Sequence, residues 1–236
     1  MNSIDMIANF FKQGGPFLYP IAAVFAVGLG FAVERFIYLH RVAKGNRRLW
    51  SELAPLIRAG NFRKAIEIAE QTESALSTIM RYGMSRISTA RRREDIEKAM
   101  EESLIEVIPH LEKRTHYLAT LANIGMLMGL LGTVIGLINA FAAVAAVNPA
   151  EKAAMLSASI SVAMNNTALG LGLAITLLLC HMYLETKTTE LVDSLEVASI
   201  KFLNSVTERR TQAPPAAAAK TAATRARDEV LEAARA

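Results

Sequence analysis

Two stretches of the 236-residue chain contain no Asp, Glu, Lys or Arg, residues 117–147 and 153–184, yet oxygen-bearing side chains interrupt both. The first holds Thr120, Asn123, Thr133 and Asn139. The second holds Ser157, Ser159, Ser161, Asn165, Asn166, Thr167 and Thr176. Hydroxyls and amides can order water, accept a hydrogen bond from a carboxylic acid, or ligate a hard cation such as sodium. None of them can serve as an acid. An amide in an apolar setting is costly unless it is hydrogen-bonded, which predicts that Asn165 and Asn166 face protein or water rather than lipid.

Covalent or metal chemistry finds little support. The sequence has no phosphate-cradling GxxxxGK, no HExxH, no paired cysteines, and no strand to carry a GxSxG nucleophile. His40, His110, His116 and His181 show no metal-ligand spacing, and Cys180 is the single cysteine, which points to packing rather than a disulfide. Asn165-Asn166-Thr167 matches a glycosylation sequon, but inside an apolar span the match is fortuitous. The expectation is a protein that is not an enzyme and carries no cofactor.

The polar residues share their helices with glycines. Gly125, Gly129, Gly132 and Gly136 recur at spacings of four, three and four, which places them on one side of a helix. Each costs about 1 kcal/mol of helix stability relative to alanine in water. In hydrocarbon the backbone must satisfy its own hydrogen bonds, so the helix persists and its small residues admit a neighbouring backbone. Two small, weakly polar tracks follow: Gly129, Thr133, Gly136 and Ala140 in the first stretch, and Ser159, Ala163, Thr167, Gly170 and Ala174 in the second. On polarity alone these residues glue two helices together; the competing reading is that they line a space shared by several subunits.

The elements that would position these residues are membrane helices. Hydrophobic types make up 52% of the chain and charged types 20%, and the charges are gathered into blocks. A crossing takes about 20 residues. The uncharged run Phe17 to Val33 satisfies this if it continues through Glu34 and Arg35 to Leu39, giving a first span at 17–39. The second, 117–147, and third, 153–184, exceed it and are expected to tilt or to project from the bilayer. Arg35, Arg41, Lys44, Arg47 and Arg48 follow the first span, whereas residues 1–16 hold only Asp5 and Lys12, so the N-terminus is assigned outside and 40–116 inside. The link 148–152 is then external, and Lys187, Lys201, Arg209 and Arg210 mark the inner side again. The net charge of +4 and pI of about 9.3 reflect this topology rather than nucleic-acid binding. No cleavable signal peptide is convincing, since the basic cluster follows the first span.

The inner loop reads as helical. Leu53, Leu56 and Ile57, then Ala65, Ile66, Ile68 and Ala69, flank Ala59-Gly60-Asn61, a combination suited to a helix C-cap and tight turn. Ser88 or Thr89 is positioned to cap a further helix with the stripe Ile96, Met100, Leu104, Val107 and Leu111, expected to face the loop's own helices, and Pro109 to bend or end it. A helix over 185–210 and an Ala/Pro-rich disordered tail over 211–236 complete the reading. The expected fold class is an all-α integral membrane protein with three transmembrane helices, the second and third extending into the cytoplasm, and a helical cytoplasmic loop.

YLATLANIGMLMGLLGTVIGLINAF (117–141) and SISVAMNNTALGLGLAI (159–175), supported by the first span, resemble the MotA/TolQ/ExbB family of ion-channel proteins, with three spans closest to ExbB and TolQ. The resemblance implies a bacterial inner-membrane homo-pentamer whose second and third helices surround single-span partners of the ExbD/TolR type, which supply a proton-carrying aspartate. Ion flow would then be coupled to mechanical work in envelope transport or motility, through a TonB-like or other envelope client. Thr133 and Thr167 are the matched pore positions, with Asn165 and Asn166 beside them, and Gly125, Gly129, Gly132, Gly136 and Gly170 the packing positions. Five residues before the threonine, where ExbB and TolQ typically have glutamate, this chain has Val162. The driven process and the ion, proton or sodium, stay open. A scaffold that organises an envelope complex without conducting is the alternative function.

Overall fold

The computed structural model describes residues 16–87, 92–145 and 148–212. Six helices account for the regular structure among them: α1 Leu18–Ala59, α2 Phe62–Glu70, α3 Ala75–Arg86, α4 Arg93–Glu112, α5 Thr115–Ala145 and α6 Pro149–Gln212. Three of these, α1, α5 and α6, contain stretches long and apolar enough to cross a membrane. The protein is a multi-pass membrane protein, all-helical among its described residues. The candidate cap at Ser88 or Thr89, residues 1–15, the last two residues of the second span and the tail beyond Gln212 lie outside the described residues.

Helix ends depart from hydrophobic boundaries because capping, not hydropathy, terminates a helix. Beyond Leu39 the chain becomes charged but stays rich in good helix formers, with Arg48 and Glu52 paired at 3.3 Å one turn apart, so α1 continues to Ala59. It stops where Gly60 adopts φ 73°. The Gly60 amide donates to the Ile57 carbonyl at 3.0 Å and the Asn61 amide to Leu56 at 2.9 Å, the paired bonds of a Schellman ending. The Asn61 side chain then accepts from the Lys64 amide at 3.3 Å and starts α2. The third span and the helix assigned to 185–210 are likewise one unbroken α6, which runs through Thr211 and Gln212, the first residues of the stretch read as tail.

The chain divides into two compact units. One contains, among the described residues, 16–43 and 108–192, which bring together the membrane-length parts of α1, α5 and α6. Two clusters form its core: Ile21, Ala122, Leu173, Ala174 and Leu177, and then Ala32, Leu39, Leu118, Leu184 and Leu191, with Cys180 packed against the second. The other contains, among the described residues, 44–107 and 193–212. There Phe202 is fully buried, its ring meeting Phe62 edge-on at 6.4 Å. Gly83 leaves room for Met100 and Phe202. Ile96, Met100 and Val107 of the α4 stripe are buried in this unit, Leu111 is buried in the first, and Leu104 is half-buried. Pro109 lies in the last turn of α4.

Candidate functional site

The contact between α5 and α6 is set by backbone approach. A Cβ on Gly129 would lie 3.0 Å from the Gly170 Cα and 3.1 Å from the Asn166 carbonyl oxygen; one on Gly170 would lie 2.8 Å from the Gly129 Cα. Gly125 and Gly132 instead meet the side chains of Leu173 and Asn166, and Gly136 meets Ala163. Gly125, Gly129, Gly132 and Gly170 are buried and Gly136 is half-buried. The glycines thus bring two helices close enough for short hydroxyl side chains to reach across.

Thr133 and Thr167 do so. Their Oγ1 atoms lie 2.6 Å apart. Thr167 Oγ1 also donates to the Gly129 carbonyl at 3.0 Å, and Thr133 Oγ1 reaches the carbonyls of Leu130 at 2.8 Å and Gly129 at 3.2 Å. Two hydroxyl protons therefore face more acceptors than they can serve, and the pair is left with spare lone pairs but no free donor. An incoming group must donate: a carboxylic acid, water, or a cation taking the oxygens as ligands. Asn166 is 3% exposed, its amide packed on Gly132, and its Oδ1 has no hydrogen-bond partner. Asn165 is half-buried. No Asp, Glu, Lys or Arg occurs in α5, nor in α6 between Lys152 and Glu185.

The family model described as the MotA/TolQ/ExbB proton channel family matches residues 71–197, more than half of the chain, including both threonines. The chain belongs to that family. It is also similar to a protein of Methanothermobacter thermautotrophicus described as a homolog of the biopolymer transport protein ExbB, 28% identical over 198 residues, which is 84% of this chain and 69% of that one. The family is one of channel subunits, not of known enzymes, and its ExbB-type members work in oligomers with ExbD/TolR-like partners.

Two features of this family member were not identified from sequence. The track Ala163, Thr167, Gly170 and Ala174 is turned toward α5, while Ser161, Asn165, Ala168, Gly172 and Thr176, at spacings of four, three, four and four, form a second small and polar face on α6 that is largely exposed. A Cβ on Gly172 would meet nothing within 4 Å. The signal was present as a second set of small residues out of phase with the first.

The other feature is a clasp at the end of α5 nearest Thr115. Arg114 has φ 69°, breaking the path between α4 and α5 and leaving the Leu111 carbonyl without its helical donor. Arg35, 3% exposed and placed over the Tyr38 ring at 4.7 Å, donates from Nη2 to that carbonyl. Its neighbour Glu34 accepts from Arg114 Nη1 at 2.9 Å. Sequence reading used Glu34 and Arg35 only as topology charges, yet they hold both sides of the joint from which α5 begins. Arg35→Ala is expected to destabilise the detergent-solubilised protein by about 2–3 kcal/mol in thermal unfolding, because a buried carbonyl loses a charged donor. Glu34→Gln, in a half-exposed pair, should cost no more than about 1 kcal/mol.

Proposed function

We infer that this chain is the ion-conducting subunit of an ExbB/TolQ-like motor, coupling the ion-motive force, with protons as the favoured ion, to mechanical work in envelope transport or motility. The supporting observation is the Thr133–Thr167 hydroxyl pair at a charge-free helix contact, donor-saturated and open to a donating group. In this reading five copies surround an ExbD/TolR-like single-span partner whose membrane aspartate supplies the missing acid. The N-terminus faces the periplasm and the C-terminus the cytoplasm, in the inner membrane of a bacterium, and a TonB-like or other envelope protein is the client. Thr133, Thr167, Asn165 and Asn166 line the ion path, and the exposed α6 face from Ser161 to Thr176 gives the partner helix a small, polar surface to rest on.

One observation favours the alternative, a non-conducting scaffold: both hydroxyl protons are already absorbed within the contact, as expected of interhelical glue. Vesicles containing this chain and its partner, loaded with a pH-sensitive dye, separate the two. A channel acidifies the lumen under an imposed voltage and loses that flux with Thr133→Ala or Thr167→Ala while assembly is retained; a scaffold passes no protons at any voltage.

A further inference from the structure

Outside the apolar spans the exposed charge of two helices is sorted by sign. In α1, Lys44, Arg47, Arg48 and Pro55 all lie within about 60° of the direction of Ser51, and all five are exposed. In α4, Glu94, Lys98, Glu101 and Glu102 lie within about 60° of Ile105, and these too are all exposed. The opposite faces carry Leu49 and Leu53 of α1 and Ile96 and Met100 of α4, buried in the same compact unit. That unit thus presents one basic ridge and one acidic ridge, each about 16 Å long.

The chain does not satisfy these ridges itself. Arg48 pairs with Glu52 of its own helix at 3.3 Å, whereas Lys44, Arg47, Glu94, Glu101 and Glu102 have no ion-pair partner among the described residues. Ile105 stands among the acids at 71% exposure, the highest of the large apolar side chains described. An apolar centre with a charged rim is the make-up of a protein interface.

A second copy of this chain fits both ridges at once. Head-to-tail contact sets the acidic ridge of one copy against the basic ridge of the next, and repetition about an axis closes a ring with neither ridge left over. ExbB-type members of the family work in oligomers. Anionic lipid headgroups would neutralise the basic ridge but would be repelled by the acidic one and leave Ile105 in water. Chain direction sets the register: α1 leads out of a membrane-length stretch and α4 leads into one, so copies related by rotation about the membrane normal bring the two together antiparallel.

We propose that α4 of one copy docks antiparallel on α1 of the next, with Glu101 and Glu102 facing Arg48 and Arg47. The same register sets Ile105 against the aliphatic stem of Lys44 and brings Lys98, the one cation of the acidic ridge, to Ser51 beside Glu52. Each charge then meets its opposite, which fixes the neighbour and its register more than it adds affinity. The inference rests on the assembly of several copies in the reading above, not on conduction.

The test uses the full chain with its partner, purified in detergent free of anionic lipid, with the assembled fraction read by native mass spectrometry. Glu101→Lys with Glu102→Lys should lower that fraction about tenfold at low salt, as should Arg47→Glu with Arg48→Glu, because like charges then face each other. All four changes in one chain should restore assembly, a rescue that neither lipid binding nor a role in folding produces. Full assembly in both reversed variants, or no recovery in the fourfold one, overturns the inference. A second measurement covers the case in which reversed chains fold poorly. Differently tagged chains, one Glu102→Cys and the other Arg47→Cys, both with Cys180→Ala, are co-assembled and treated with a short bismaleimide. A link between the two chains is expected; its absence, or linking within one variant alone, overturns the contact. Neither readout involves flux, so failure of the contact leaves the channel reading standing, and failure of conduction leaves the contact standing.

Discussion

Thr167→Val is expected to abolish proton flux while lowering the stability of the assembled protein by only about 1 kcal/mol. Valine keeps the shape of threonine but can neither donate nor accept. The substitution removes the bond to the Gly129 carbonyl and the 2.6 Å contact with Thr133, whose own hydroxyl still reaches the Leu130 carbonyl. Interhelical hydrogen bonds in membranes average well under 2 kcal/mol, because broken partners find others. A loss of that size cannot account for a hundredfold or greater fall in flux at matched amounts of complex, since about 1.4 kcal/mol corresponds to a factor of ten. The two readouts therefore separate glue from ion path. Thr167→Ser retains the hydroxyl and should retain most of the flux. Thr133→Val should behave as Thr167→Val does, and the double variant should be no worse than either, as expected of groups acting as a unit. Full flux in Thr167→Val, measured as dye response per complex, would remove the threonines from the path.

Much of this arrangement was legible in the residues, for identifiable reasons. The charge-free runs gave the three membrane-length helices because lipid leaves the backbone no alternative to helix. The 4-3-4 spacing of Gly125 to Gly136 placed the close approach, since glycine is tolerated there only if something uses the space. The turn at Gly60 and Asn61 was readable from residue type, because the left-handed conformation selects glycine. The full lengths of α1 and α6 were not readable, because both pass from apolar to charged sequence without a capping residue, and hydropathy records the change of solvent rather than the end of the helix. Nor was the Arg35 clasp: its partner is a carbonyl 76 residues away, freed by a nearby backbone break, and side-chain chemistry alone does not reveal where a backbone breaks. The two polar faces of α6 were merged into one list for a related reason, since Asn165, Asn166 and Thr167 are adjacent in sequence but point in directions about 100° apart in turn.

The Gly129–Gly170 crossing should be the position least tolerant of added volume. In Gly170→Ala the new methyl would lie 2.8 Å from the Gly129 Cα, 2.9 Å from the Gly125 carbonyl oxygen and 3.2 Å from the Gly129 amide nitrogen. All three are backbone atoms, so no rotamer change relieves the collision and the helices must separate. Separation by even a fraction of an ångström lengthens the hydroxyl contact one turn away at Thr133 and Thr167. Overpacking of this kind costs about 1–3 kcal/mol for a methyl group, and Gly170→Val should prevent stable assembly altogether. Gly125→Ala is instructive by contrast: its Cβ would approach Leu173 Cδ2 at 2.4 Å, a closer contact, but with the far end of a flexible side chain that can rotate away. Its effect should therefore be smaller despite the shorter distance. Gly172→Ala, with nothing within 4 Å, should change the unfolding temperature of the isolated chain little, because a surface methyl there touches no other part of it. Thermal unfolding of the four variants in one detergent should rank them Gly170→Val, Gly170→Ala, Gly125→Ala, Gly172→Ala in decreasing damage. A Gly170→Ala protein as stable as Gly172→Ala would mean that the two backbones do not approach as described. Gly172→Ala then carries a second use: if the partner helix rests on the exposed α6 face, it should weaken co-purification of that partner while leaving the unfolding temperature in place.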